Sequence, residues 1–207
     1  MSNIGIQTTE VAGFKSSIRG MRNPMDSWSK SDSKLWDPII LGEEDLILAK
    51  KLIAGGPEHC KFLRQIQVWA NVSMPRYWWQ EADTYKFGTK NSCSTMHTMH
   101  KVGFSRKDFY LGESILPSTL NTIEYIIDQL NYLRKKYLET KEYKYIIEMK
   151  RILPESFVQM RTWNTNYAEI MNMYHQRKSH RLTEEWVDTF CGWCKTLPYF
   201  EELCIKK

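Results

Sequence analysis

Residues 75–97 hold the densest run of chemistry-bearing side chains in this sequence. It reads Pro75-Arg76-Tyr77-Trp78-Trp79-Gln80-Glu81-Ala82-Asp83-Thr84-Tyr85-Lys86, then Phe87-Gly88-Thr89-Lys90-Asn91-Ser92-Cys93-Ser94-Thr95-Met96-His97. A segment so rich in hydroxyls and amides is costly to bury unless its polar atoms find partners. Two kinds of partner suit it: helix ends that the loop caps, or a ligand with many polar atoms. The adjacent indoles of Trp78 and Trp79 suit stacking on a flat ligand. The chain carries no Walker loop, G-x-G-x-x-G, H-E-x-x-H or G-x-S-x-G, so the chemistries those motifs serve are not indicated.

The five cysteines are Cys60, Cys93, Cys191, Cys194 and Cys204, an odd and irregularly spaced set that makes no disulfide framework. Cys191 and Cys194 form a C-x-x-C pair, with His175 and His180 the nearest further ligands. One such pair falls short of a zinc site, and two helix-buried thiols are the expected reading; no metal is expected. His97 and His100 sit three apart, which alone is no metal site either. Residues 130–151 hold seven Lys/Arg against three Glu. With no aromatic stacking motif beside it, this stretch reads as a solvated surface, and a nucleic-acid partner is not expected.

These candidates need positioning elements. Residues 65–72 alternate, with Ile66, Val68, Ala70 and Val72 on one face, which is a strand. Ser73 then stands as a helix cap and Pro75 as a first-turn residue for a short helix from Arg76 to about Asp83. Residues 87–96 read as a loop. Upstream, 13–42 reads as an extended arm with turns at Asn23-Pro24 and Asp37-Pro38, and Glu43-Glu44-Asp45 opens a helix that Gly55-Gly56-Pro57 stops. Leu120, Ile123, Ile127, Leu130 and Leu133 mark a helix after Pro117-Ser118. Beyond Leu153-Pro154, Ile170, Met171 and Tyr174 mark another. Thr183 is placed to cap a last helix, whose Trp186, Phe190 and Trp193 face the core. Trp69 and Trp163 are likewise expected in the core or an interface.

The class is thus α/β, or mixed α+β: a small sheet with several flanking helices in one domain over 1–207, with 1–42 as its N-terminal arm. The chain has 207 residues, 42% hydrophobic, 13% aromatic and net charge +5. That balance excludes a disordered chain and favours an anionic partner only weakly. No apolar run reaches membrane-span length, and residues 1–10 lack the order of a signal peptide, so a soluble cytoplasmic protein without membrane contact is expected.

The 84–97 segment resembles the signature of the flavin-dependent thymidylate synthases, R-H-R-x-x-S-x-N-E-x-S-x-R-Y. It aligns without gaps as Thr84-Tyr85-Lys86, Thr89, Asn91-Ser92, Ser94 and Met96-His97. Upstream, His59 stands where the family opens H-x-x-P-F-E-H, and Phe62-Leu63-Arg64-Gln65 replaces its last four residues. Downstream, Leu153-Pro154, Trp163, Asn166, Asn172 and Arg177 are similar to the second signature, and Arg19 stands for an early Arg. The resemblance covers 59–101 and 153–186, a little over a third of the chain.

The resemblance implies the fold of that family and a homotetramer with active sites at subunit contacts. It also implies FAD as cofactor, NADPH as reductant, and one-carbon transfer from methylenetetrahydrofolate to C5 of dUMP. By position it implies Arg177 and Ser94 as catalytic residues. It implies flavin contacts at Thr84, Tyr85, Lys86, Asn91, Asn166 and Asn172, and substrate contacts at Ser94, Gln80, Glu81, Lys150 and Arg177. Departures are equally specific. Thr84 and Tyr85 carry none of the charge of the Arg-His they replace, Met96 replaces a phosphate-binding Arg, Ser92 a Glu, and Ala168 an Arg of the C-terminal helix. Each charged hydrogen bond to a phosphate is worth about 1.5–3 kcal/mol, with Lys90, Lys101 and Arg161 as possible substitutes. The alternative is therefore a non-catalytic protein that binds or sequesters a nucleotide on the same scaffold, using the Trp78-Trp79 pair for stacking.

Overall fold

The alternation read over residues 65–72 forms strand β2 (Gln67–Pro75) from its third residue on, Gln65 and Ile66 ending the 3₁₀ turn before it, in the computed structural model, which describes residues 3–36 and 38–205. Ile66, Val68, Ala70 and Val72 are all buried, as period two requires. The strand runs on to Pro75 because Met74 continues the buried face. Ser73 therefore belongs to the strand and does not cap the helix after it. That helix, α3 (Arg76–Ala82), starts directly on Pro75 with no side-chain cap.

Four strands pair in the order β1-β2-β4-β3, with β1 at Gly5–Ala12, β3 at Thr89–Ser92 and β4 at Val158–Asn166. The main helices are α1 (Phe14–Arg22), α2 (Glu43–Ala54), α4 (Thr95–Thr98), α5 (Pro117–Thr140), α6 (Lys144–Ile152) and α7 (Tyr167–Arg177). The mixed α/β class expected from the sequence is what forms.

Two larger expectations are corrected. The arm is not extended: β1 and α1 occupy most of its first half. Phe14, Ile18 and Met21 recur at helical spacing and are buried, so α1 has an apolar face to pay for its ordering. It begins at Gly13, whose φ of 95° is left-handed and whose missing Cβ lets the Gln65 carbonyl approach. Of the two turns read in the arm, Asn23-Pro24 opens a 3₁₀ turn, whereas Asp37 lies outside the described residues. The second correction concerns 87–96, which is not all loop. Its centre becomes β3, since β4 offers unpaired backbone groups that need partners, and Cys93 N–H continues the pairing to Met160 O at 3.0 Å.

The chain divides into two compact units. One is built from Val72–Thr84 and Asn91–Arg161 with residues 3–5. Its core is Met99, Phe104, Phe109, Ile123, Ile127, Leu130, Ile146, Met149 and Leu153, mainly the facing sides of α5 and α6. The other is built from the described residues of 6–71, Tyr85–Lys90 and residues 162–205. Its core is aromatic: Phe14 meets Tyr167 edge-on at 5.6 Å, Tyr167 meets Phe200 at 5.3 Å, and Trp186 meets Phe190 at 5.3 Å. The Trp186/Phe190/Trp193 stripe is buried as expected: Trp186 and Phe190 lie on a π-helix over Thr183–Cys191 that starts from Leu182 without a Thr183 cap, and Trp193 on the α-helical turn Gly192–Cys194 that continues it. Ile170 and Tyr174 are buried, but Met173, not Met171, completes that face of α7.

Gly88 is held tightly in this second unit. A Cβ there would lie 2.6 Å from Trp163 Nε1 and 2.8 Å from Asn164 O. Gly88→Ala is therefore expected to destabilise by about 1–3 kcal/mol through overpacking, read as a lower midpoint in urea unfolding.

Candidate functional site

In the second unit, α7 ends at Arg177, and a cation suits the last turn of a helix. Its Nε–H donates to the Tyr85 hydroxyl at 2.9 Å, and that hydroxyl donates to Gln176 Oε1 at 3.0 Å. Gln176 Nε2 in turn donates to Asn172 Oδ1 at 2.8 Å. The guanidinium carbon sits 4.5 Å from the Trp186 ring centre and 5.5 Å from that of Tyr85. Three site residues expected from the sequence, Tyr85, Asn172 and Arg177, are thus in one chain of hydrogen bonds. Tyr85 is 8% exposed, so it acts as a support for Arg177 more than as a ligand contact. Lys86 is exposed beside it.

The same unit contains a cleft of about 450 Å³, within the range of small-molecule sites. One wall is the end of α2 and the turn after it, with Ile53, Pro57 and Arg64; the other is α7, with Asn166, Ala168, Asn172 and His175. Phe87, 71% exposed, and the buried Glu169 complete it. Asn166 Oδ1 caps α7 by accepting Glu169 N–H at 3.1 Å. Asn172 Oδ1 likewise accepts one bond, and both amides keep their Nδ2–H groups to offer as donors. Glu169 accepts Phe87 N–H at 3.4 Å, and His175 Nε2 is 2.8 Å from Cys204 O. Arg64 was not singled out from the sequence as a site residue; only its place in the fold reveals it.

In the first unit, Lys150 Nζ donates to the hydroxyl of buried Thr95, next to Ser94. Partial burial pushes the Lys150 ammonium below its ordinary pKa, the Arg76 charge adds to this, and Glu155 opposes it. Arg76 pairs with Glu155 at 3.0 Å, and Gln80 Nε2 donates to the same carboxylate at 2.9 Å. Gln80 thereby joins this polar group. Ser94 stands at the N-cap of α4 and its carbonyl accepts from Thr98 at 2.7 Å, while its hydroxyl makes no cap bond. Thr84 donates its hydroxyl to Glu81 O at 2.7 Å and closes the end of α3. Asn91 is exposed on β3.

The expected substitutes for the missing arginines are partly committed. Arg161 pairs with Asp83 at 3.0 Å and lies 4.3 Å over Trp79. Lys90 lies 5.7 Å from the Trp163 ring centre. Met96 packs against the Met99/Phe104 core, where an arginine would be unpaired. Trp78 and Trp79 are both 0% exposed, and Trp79 Nε1 donates to Gln159 O at 2.9 Å. They are core residues, which removes the expected stacking platform: a ring buried on all sides has no face for a ligand.

The basic stretch behaves as a solvated surface, with Lys136–Glu139, Lys144–Glu142 and Arg151–Glu148 pairs. Cys191 and Cys194 are buried thiols, and burial pushes Cys191 up to about 11 and Cys194 well above the ordinary thiol value. At pH 8 the folded protein should therefore react with Ellman's reagent rapidly at exposed Cys93 only, and at all five thiols once denatured.

The fold is that of the flavin-dependent thymidylate synthases. Two solved structures of such an enzyme, ThyX from Helicobacter pylori, each with FAD and dUMP, align with the chain at a TM-score of 0.73. One is 18% identical and is matched over 98% of this chain and 100% of its own; the other is 16% identical, over 98% and 97%. The sequence itself matches no protein-family model and no curated protein. No described helix is long and apolar enough to cross a membrane.

Proposed function

We propose that this protein binds FAD and a pyrimidine nucleotide of the dUMP type and carries out one-carbon chemistry at the pyrimidine ring. The observation that carries the reading is the likeness, over essentially the whole chain, to two structures that hold FAD and dUMP. The cleft fits a flavin dinucleotide in kind: an exposed aromatic ring at Phe87, apolar walls at Ile53 and Pro57, amide donors at Asn166 and Asn172, and a cation at Arg64. FAD, when bound, supplies hydride transfer, with NADPH as reductant and methylenetetrahydrofolate as one-carbon donor in this reading.

The chain's own groups then divide the work. Adding carbon at C5 shifts negative charge onto the pyrimidine carbonyls, and a preorganised cation lowers that cost. Arg177, fixed by Tyr85 and Trp186, is that cation. The Ser94 hydroxyl and the Lys150 ammonium serve the nucleotide phosphate. Assembly into a homotetramer belongs to the same reading.

A second reading, nucleotide binding without turnover, is favoured by Met96 turned into the core and by Tyr85 committed to Arg177. The purified protein decides. The proposal expects a flavin absorption band or uptake of added FAD, and tritium release from 5-tritiated dUMP that depends on NADPH and methylenetetrahydrofolate. FAD and dUMP binding without release selects the second reading; no uptake of either ligand defeats both.

A further inference from the structure

We infer that Arg64 is the phosphate-binding cation of the α2/α7 cleft, standing in for the arginine that the resembled family has at the position of Ala168. The assignment rests on the cleft holding FAD. Arg64 and Ala168 line the same cleft from different segments, Arg64 from the 3₁₀ turn Lys61–Gln65 and Ala168 from the first turn of α7. In the resembled family these positions carry an acid and a base; here they carry a base and an apolar residue. The cation has changed walls.

Local electrostatics make that change consequential. Glu169 is the cleft's carboxylate. Without Arg64 the cleft would present a negative charge to a diphosphate, and a dinucleotide would be repelled. With Arg64 it offers a guanidinium whose planar fork suits phosphate oxygens. Arg64 is exposed, and its guanidinium makes no hydrogen bond or ion pair among the described residues. Arg76, Arg161 and Arg177, by contrast, are held by Glu155, Asp83 and Tyr85. The donors left on Asn166 and Asn172 point to the same acceptor-rich partner.

The test compares FAD with riboflavin, which has the same ring system and no phosphate, by flavin-fluorescence titration. Arg64→Ala should weaken FAD binding by about 10- to 100-fold, the worth of one charged hydrogen bond. Riboflavin binding should stay unchanged. Arg64→Glu should weaken FAD further, and adding Ala168→Arg to Arg64→Ala should recover much of the loss. Because Arg64 is exposed and acts on its neighbour Glu58 only through their charges, the variants should melt close to the wild type. If wild type binds FAD and Arg64→Ala binds it equally well, or loses FAD and riboflavin alike, the assignment is overturned while the cofactor reading stands. A wild type that takes up no FAD overturns both.

Discussion

Replacing Asp45 with alanine should destabilise the protein by about 3–5 kcal/mol, the cost of stranding a buried charge. At this chain length each kcal/mol lowers the melting point by about 2–4 °C, so a fall of roughly 10 °C is expected by circular dichroism. Asp45 is fully buried in the first turn of α2. It accepts from Arg22 Nε at 2.6 Å, from the Ser31 hydroxyl at 2.7 Å, and from both the backbone N–H and the hydroxyl of Ser33. Arg22 is itself only 4% exposed, and its Nη2 has no further hydrogen-bond partner among the described residues. Without the carboxylate, the guanidinium would keep one weak bond, to Ser27 O at 3.4 Å. Asp45→Asn tests charge apart from shape and should still lose most of this. Replacing both partners by apolar residues should cost less than either single change.

The same carboxylate sets a pH dependence. Burial alone would raise its pKa, but the hydrogen bonds from Ser33, Ser31 and Arg22, with the Arg22 charge, outweigh burial and hold it below the ordinary carboxylate value. A pKa lowered on folding stabilises the fold fully above the unfolded value, near 4, and the contribution is lost as pH falls through the folded one. Wild type should therefore lose more melting temperature than Asp45→Asn when taken from pH 6 to below pH 4.

The elements legible in the sequence were those with one buried face. Strand β2 is legible through Val68, Ala70 and Val72, with buried Ile66 just before it, and α5 through Ile123, Ile127 and Leu130, because burial imposes a period. Helix α2 showed its acidic start and its glycine stop. Helix α1 was obscured by its polar residues: Ser17 sits inside it, buried, donating to Phe62 O at 2.8 Å, a partner 45 residues away that no local pattern reveals. Strand β3 has no apolar residue in Thr-Lys-Asn-Ser, and exists by pairing alone.

The candidate site is legible only as positions in a motif. Arg177, Asn172 and Tyr85 were placed from the resemblance, and the structure joins them. What the motif could not show is that Tyr85 buries itself beneath Arg177, or that Arg64 and Ala168 share a cleft; both relations cross about a hundred residues. Trp78 and Trp79 failed as a platform for the same reason: an aromatic pair looks alike in a core and in a binding face until its neighbours are known.

Arg177→Ala should carry the largest functional effect, a loss of about 10²–10³-fold in dUMP-dependent tritium release, the usual cost of removing one preorganised donor to a developing negative charge. FAD uptake should be far less affected, since the guanidinium is held by Tyr85 and Trp186 and is not among the groups that line the cleft. Arg177→Lys separates charge from orientation. An ammonium cannot reproduce the guanidinium contact over the Trp186 ring together with the bond to the Tyr85 hydroxyl, so most of the loss should persist. Tyr85→Phe provides the intermediate case: the ring stays, the hydroxyl that accepts from Arg177 and donates to Gln176 is gone, and the cation is held by stacking alone. It should lose activity by a smaller factor, of the order of tenfold for one hydrogen bond, with dUMP affinity changed less than turnover. An Arg177→Ala protein as active as wild type would remove the ring-cation role, whereas one inactive and also unable to bind FAD would show that Arg177 supports the fold of the cleft and not the chemistry.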